Sequence, residues 1–439
     1  MKNSVKLHRR RFLANSAAAT AVAATLSWPR VVCAAGANER ITLGVIGPGG
    51  MGSNLLKSFA AMKDVAIAFV CDVDARRAES AAESAEKLGD RRPRIVKDLR
   101  HVFESKDVDA VVIATPDHWH APATIFACEA GKHVYVEKPC AHNIREGRLM
   151  IEAARRHHRV VQTGTQSRSV EHVRSAMERL HGGAIGEVLV AKAWNSQLRG
   201  DIGRAQPSPP PPELDFDLWV GPAPMIPYQK NLLHGVWRWW HAFGCGDMGN
   251  DGVHDIDLAR WGLGVESHPA KVTAMGGKYF FDDDQQFPDT QSVAFEYEID
   301  GRKKQLLYEQ RLWSPYVQEG HENGNAFYGT KGMLILGKKS GWQLFGPRNE
   351  LKEKEEGKFE NAPHHRNFLE CIRSGQRPNA DIEIGHLSAT LCHLGNIATR
   401  VGRTLHFDPK TEAIKNDAEA ARLVRRDYRE GHWAVPKGV

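Results

Sequence analysis

From residue 41 onward the chain alternates short apolar runs with amphipathic stretches. Ile41–Ile46, Val65–Val70, Ala110–Ala114, His133–Val136 and Val160–Gln162 are three to six residues of mostly apolar character, the pattern of parallel strands buried on both faces. A helix is predicted from Ser53 and Asn54, a second over Pro122–Ala130 and a third over Ile144–His157. Strand and helix alternating at this spacing predict an α/β fold with a doubly wound parallel sheet, whose ligands gather at the carboxyl ends of the strands. Later the period changes. Val293, Phe295, Tyr297 and Ile299 alternate with polar residues, Asp300-Gly301 supplies a hairpin turn, and Leu306–Leu312 answers as the returning strand.

The first predicted strand runs into Gly47-Pro48-Gly49-Gly50-Met51-Gly52, which fits G-x-G-x-x-G. The second ends at Cys71-Asp72, about twenty residues further on. Strand, glycine turn, helix and acid together form a Rossmann dinucleotide fingerprint. The glycines let backbone approach a pyrophosphate, whose charge meets a helix N-terminus. Asp72 is placed to accept from an adenosine ribose 2′-hydroxyl, which favours NAD. Arg76 and Arg77 are near enough to take a 2′-phosphate, so NADP is also accommodated. The other strand ends read Thr115-Pro116-Asp117-His118-Trp119-His120, Glu137-Lys138-Pro139 and Gly164-Thr165-Gln166. Each falls where a nicotinamide would lie.

GPGGMG, CDVD, TPDHWH, YVEKP, VQTGTQSR, GDMGNDGVHDIDLARW and YGTKG, in that order, resemble the glucose–fructose oxidoreductase / inositol dehydrogenase / MocA family over residues 40–410. The resemblance implies an N-terminal Rossmann domain, here 37–163, and a C-terminal α+β domain on a large open, mostly antiparallel sheet, here 164–410, followed by a tail 411–439. An open sheet of this kind commonly seeks a partner, so a homo-oligomer is expected. The resemblance places Lys138 of the EKP triplet beside the nicotinamide and the reacting hydroxyl, and His120 near the nicotinamide ribose. His118, with no such counterpart, is grouped with the cofactor residues only by proximity.

The same resemblance makes His254 the general acid–base. An imidazole titrating near neutrality suits proton exchange with a sugar hydroxyl. Many members carry an Asp four residues before this His; here that position is Asn250. Asp251, three back, is also a helical neighbour and could substitute, and Asp257, three on, could help position the ring. Arg168 and the aromatic segment 231–243, with Trp239 at its centre, complete the candidate substrate contacts, together with Trp119. The segment reads equally well as a carbohydrate platform or as a packed turn. No metal is expected: HExxH is absent, no Cys/His finger is present, and His118/His120 and His364/His365 lack a third ligand at a diagnostic spacing. Gln206–Pro212 reads as a polyproline excursion over the surface, a candidate oligomer arm, and Ala418–Tyr428 as a helix in the tail.

Composition narrows the partners. At 41% hydrophobic and 26% charged residues the chain is not disordered, and its 439 residues exceed what one core usually serves. The net charge of +6 belongs to residues 1–36, where Lys2, Lys6, Arg9, Arg10, Arg11 and Arg30 stand without an acid; 37–439 hold 53 basic and 53 acidic residues. Nucleic-acid binding therefore loses its support. Residues 1–36 have the layout of an export signal: charged start, Ala-rich middle, small residues at Ala34–Ala37. Arg9-Arg10 followed by Arg11-Phe12-Leu13 resembles the twin-arginine motif read by the machinery that exports folded proteins. A periplasmic or otherwise extracytoplasmic location follows as an expectation, without stable membrane insertion.

Export of a nicotinamide enzyme constrains its chemistry. Free NAD(H) is scarce outside the cytoplasm, so the cofactor is expected to be tightly held and its hydride returned each cycle. Two classes meet this condition. One is an oxidoreductase acting on a sugar hydroxyl and reducing a second carbonyl compound; the other is a redox-neutral glycosidase, lyase or epimerase working through a transient keto-sugar.

Overall fold

The computed structural model describes residues 40–89 and 91–439. The twin-arginine expectation falls on residues 1–36, outside the described residues. Arg40–Val439 form one compact unit built on two sheets.

The first sheet holds β1 (Ile41–Ile46), β2 (Val65–Cys71), β3 (Arg94–Val96), β4 (Ala110–Ile113), β5 (His133–Val136) and β6 (Val161–Thr163), in the order β3-β2-β1-β4-β5-β6 and parallel throughout. The order reverses between β1 and β4, which opens the crevice where such sheets bind ligands. Four of the six strands were predicted almost to the residue, because burial on both faces makes them continuously apolar. The three-residue edge strand β3 has no such pattern: two of its side chains are exposed.

The second sheet holds β7 (Val188–Ser196), β8 (Lys271–Gly277), β9 (Thr290–Ile299), β10 (Arg302–Arg311), β11 (Asn323–Gly329), β12 (Met333–Gly337), β13 (Gly341–Phe345), β14 (Leu351–Glu356), β15 (Leu405–Asp408) and β16 (Ala413–Lys415). Their order is β14-β13-β12-β11-β7-β10-β9-β8-β15-β16. Pairing is antiparallel except between β7 and β10, where Val190 lies beside Gln305. The β9–β10 hairpin turns at Asp300 and Gly301, both at positive φ, as its twist requires. One face of this sheet packs on the helices Val253–Leu263 and Ile382–Val401 over a core that includes Phe295, Tyr297, Tyr308 and Phe327.

Two segments differ from expectation. The helix predicted from Pro122 begins at Asp117, with Pro122 inside it. The polyproline excursion stays on the surface, Pro207 bridging Gln229 and the Ser208 N–H donating to the Tyr228 carbonyl (2.9 Å), and the residues just after it dock on the Rossmann loops. Leu214 bridges Asp74, the Asp215 N–H donates to the Val73 carbonyl (2.9 Å), and Arg76 pairs with Glu213 (2.9 Å). The tail is also docked. The predicted helix Ala418–Tyr428 stops at Arg422, and the chain then crosses the Rossmann domain to set Trp433 against Trp119 and Phe126.

Candidate active site

A cleft of about 330 Å³ runs from the glycine turn along the carboxyl ends of the first sheet. Its near end is Gly47, Gly49, Gly50, Met51 and Asp72; its middle is Thr115, Pro116, Trp119, His120 and Glu137; its far end is Lys138 and Asn250. Gly47 sits at φ +75°, and a Cβ on Gly52 would collide with the Gly47 carbonyl, so side chains are excluded where a pyrophosphate must approach backbone. The helix Met51–Ala60 starts there without a side-chain cap, leaving its N-terminal amides for an anion. Burial raises the Asp72 carboxyl to about 6, against the pull of Arg77, whose guanidinium crosses Gly49. A dinucleotide fits this cradle: the glycine turn would hold its diphosphate, and Asp72 or Arg77 its adenosine ribose.

Not every predicted cofactor residue faces the cleft. His118 is fully buried against Trp219 and Phe243, its Nε2 toward the Trp219 carbonyl (3.0 Å), in the aromatic cluster that seats the 216–243 insertion. Gln166 is one layer back: its amide donates to Tyr135 Oη and to Glu137 Oε1, both at 3.1 Å, and so fixes Glu137. His120 has both ring nitrogens against carbonyls, Pro139 at 2.7 Å and Thr115 at 2.9 Å. Burial pushes its ring down to about 4, so it is neutral and its single N–H donates to one of these two carbonyls.

At the far end the Lys138 ammonium donates to the Asn250 backbone carbonyl at 2.5 Å. Asn250 lies in a π turn, Met248–Gly252, that precedes the helix Val253–Leu263 carrying His254. The same turn redirects the side chains expected to orient His254. The Asn250 amide donates to Asp247 (2.9 Å), while Asp251 accepts from Gln197 (2.7 Å) and Arg199 (3.2 Å). Neither is hydrogen-bonded to the imidazole, which meets no protein partner among the described residues. Asp251 acts on it by charge. Burial, then the Lys138 and Lys338 ammonium groups, hold His254 well below its ordinary value; Asp251 opposes them. Asp251 is in turn held low, its burial outweighed by Lys338 first and then by Lys138 and Arg199. Near neutrality His254 is therefore an uncharged base.

Three predicted substrate residues serve the scaffold instead. Arg168 and Asp257 form a buried bidentate pair (2.7 and 2.9 Å), with Ser388 donating to the same carboxylate at 2.6 Å. Trp239 is buried with Phe281 and Leu312, while its neighbours Trp237 and Arg238 line the cleft. Sequence reasoning missed Lys338 and Arg199; Arg238 was included only as a sugar-hydroxyl donor of the aromatic segment, and Asp117 only as part of the TPDHWH strand end. Lys338 pairs with Asp255 (3.3 Å) from just beyond β12. Asp117 is raised to about 7 by burial against the pull of Lys138, the Cys245 hydrogen bond and Arg238. One His/His/Glu grouping appears among the described residues: His268 and His386 both meet Glu412 at 2.8 Å. The Arg148 guanidinium already pairs with that carboxylate at 2.5 Å, which disfavours a cation there.

The glycine cradle, the order reversal and Lys138 at the far end of the cleft define a two-domain, dinucleotide-binding α/β protein. Two family models match in tandem: "Oxidoreductase family, NAD-binding Rossmann fold" over residues 41–165 and "Oxidoreductase family, C-terminal alpha/beta domain" over 188–435. The chain belongs to the Gfo/Idh/MocA oxidoreductase family. It is 34% identical over 246 residues to an inositol 2-dehydrogenase of Rubrobacter xylanophilus, covering 55% of this chain and 57% of that protein. It is 32% identical over 196 residues to a glycosyl hydrolase family 109 protein of Saccharopolyspora erythraea, covering 38% and 42%. The chain thus spans about half the length of these curated relatives. The fold is shared with a levoglucosan dehydrogenase solved with NADH and levoglucosan, at TM-score 0.64 and 19% identity, covering 84% of this chain and 99% of that one.

Proposed function

We propose that the protein is an NAD-dependent oxidoreductase acting on a secondary hydroxyl of a sugar or sugar-derived substrate. The observation that carries this reading is one continuous cleft joining a dinucleotide cradle to Lys138, which is held on the carbonyl of Asn250, four residues before the uncharged, unpartnered His254. A dinucleotide held by the glycine turn and Asp72 would supply hydride acceptance from the hydroxyl-bearing carbon at the Lys138 end of the cleft. His254 takes the hydroxyl proton on its ring. Lys138, held by the Asn250 carbonyl, donates to the same substrate oxygen and favours its deprotonated form. Glu137, fixed by Gln166, shapes the nicotinamide end of the cleft.

Tight cofactor retention belongs to the same proposal. Leu218, Trp219, His234, Trp237 and Trp433 line the cleft from the insertion and the tail, so a bound dinucleotide would have to displace docked chain to leave. The arginine-bearing leader supports export, and the open second sheet supports assembly with a second copy. Denaturing the purified protein and identifying the released nucleotide tests retention. Near-stoichiometric NAD(H) is expected; an empty protein that also fails to bind added NAD(H) or NADP(H) would sink the oxidoreductase reading.

The resemblance to a glycosyl hydrolase family 109 protein favours a second reading, redox-neutral glycoside cleavage through a transient ketone. Aglycone release from aryl glycosides without added cofactor or acceptor would select it over net oxidation.

A further inference from the structure

Four cationic side chains surround the far end of the cleft, and three have partners. Lys138 holds the Asn250 carbonyl at 2.5 Å, Arg199 pairs with Asp247 (3.0 Å) and Asp251 (3.2 Å), and Lys338 pairs with Asp255 (3.3 Å). The fourth, Arg238, lines the cleft beside Lys138 and Asn250 and makes no hydrogen bond or ion pair with any described residue. Its guanidinium carbon lies 5.5 Å from the centre of the Trp237 ring, and its Nε is buried without an acceptor. The backbone here is fixed: Arg238 sits on the short 3₁₀ turn Val236–Trp239, and its main chain packs so closely on Gly244 that a Cβ there would collide with it.

An unpaired, largely desolvated guanidinium is costly, and a site that keeps one usually meets its anion in the ligand. Asp117, Asp247 and Asp251 act on Arg238 by charge, but none comes within ion-pair distance. Burial, with Arg199 adding its repulsion, pulls Arg238 below its ordinary value despite those acids. The cofactor's diphosphate does not supply the missing partner, because the glycine turn and the helix Met51–Ala60 serve it at the opposite end of the cleft.

We propose that the substrate carries a carboxylate, as in a uronate or an aldonate, and that Arg238 receives it as a bidentate pair beside Lys138. Arg presents two parallel donors to a carboxylate, and the stacked Trp237 ring would hold the guanidinium plane. The inference rests on the sugar oxidoreductase reading and sharpens its substrate class.

The test compares acid and neutral partners on the NADH-loaded protein by calorimetric titration: glucuronate against glucose, galacturonate against galactose, gluconate against glucitol. Wild type is expected to bind at least one acid about tenfold more tightly than its neutral partner, the worth of one charge-assisted pair. Arg238→Gln should abolish that preference and Arg238→Lys should retain part of it, with NADH affinity unchanged in both. Equal or tighter binding of the neutral sugars, binding of none of the acids, or loss of NADH affinity in Arg238→Gln would overturn the proposal. NADH titration of wild type separately tests the oxidoreductase reading, so the two failures are distinguishable.

Discussion

His254 is the residue on which the electrostatics of the site converge. It is kept uncharged by burial and by two lysines, one from the EKP triplet and one 84 residues further along the chain. Lys338 therefore tunes the base without being its hydrogen-bond partner. Removing its charge raises the imidazole pKa, and a base that must be neutral then loses activity at higher pH. Lys338→Met is expected to move the acid limb of kcat/KM to higher pH while NADH affinity holds; Lys338→Arg should leave the limb in place. An unmoved limb in Lys338→Met would show that the lysine only packs. Lys138 and His254 were legible in the sequence because each sits in a local motif. Lys338 and Arg199 were not, because sheet register brings them in; Arg238 lies on the 3₁₀ turn Val236–Trp239, within the aromatic segment 231–243. The β7–β11 pairing sets Asn195 opposite Asn323, β12 follows from β11, and Lys338 arrives at its end. The hydrogen bonds expected from Asn250 and Asp251 to His254 are not made, for a local reason: a π turn shifts the side-chain angles on which i, i+3 and i, i+4 reasoning depends, and Asp251 acts on the ring by charge alone.

The helix Asp117–Glu129 shows how a violated rule is compensated at the scale of an element. Pro122 has no N–H for the carbonyl of His118, four residues earlier, which would leave a buried acceptor unmet. Arg426 from the tail donates to that carbonyl at 2.8 Å and pairs with Glu146 at 2.6 Å. Side-chain exposures of 7% and 0% place this pair in the interior, where losing one partner is severe. Arg426→Ala is expected to cost about 3–5 kcal/mol in urea unfolding. Adding Glu146→Gln should recover part of the loss, because the stranded charge is then gone. A cost near zero would mean that the tail is dispensable to the helix. Read from sequence, Pro122 looked like a helix start, since proline favours the first turn. The compensating arginine lies 304 positions away, and no local pattern announces it. The polyproline excursion was visible as an element for the same kind of local reason, yet the docking of the residues after it, Glu213–Asp215, on Val73, Asp74 and Arg76 was not, being set by bonds to distant loops.

At the scale of the whole molecule, the 21 histidines make stability depend on pH. Burial pushes His118 and His364 to about 3, and His120, His133, His241, His365 and His393 to about 4. In the unfolded chain each takes up a proton near 6.5. Between roughly 4 and 6.5 the unfolded state thus binds more protons at these sites, and stability rises with pH at about 1.4 kcal/mol per proton per pH unit. Buried acids work in the opposite sense. Asp72 at about 6, and Asp117 and Asp255 at about 7, keep a proton that the unfolded chain releases near 4, so their contribution falls as pH rises. Glu137 and Glu146 are raised by burial too, but His142 and His254 are driven further below their ordinary value and match them. Seven histidines against three acids leave the balance with the imidazoles. The melting temperature should therefore climb from pH 5 to pH 7 in one buffer series at fixed ionic strength. A flat or falling curve would mean that the buried acids, centred on the cleft, outweigh the histidines spread through both sheets' helical layers. Replacing His393, whose Nε2 meets the Ala141 carbonyl at 3.1 Å away from the cleft, with Gln should flatten the slope without altering NADH binding.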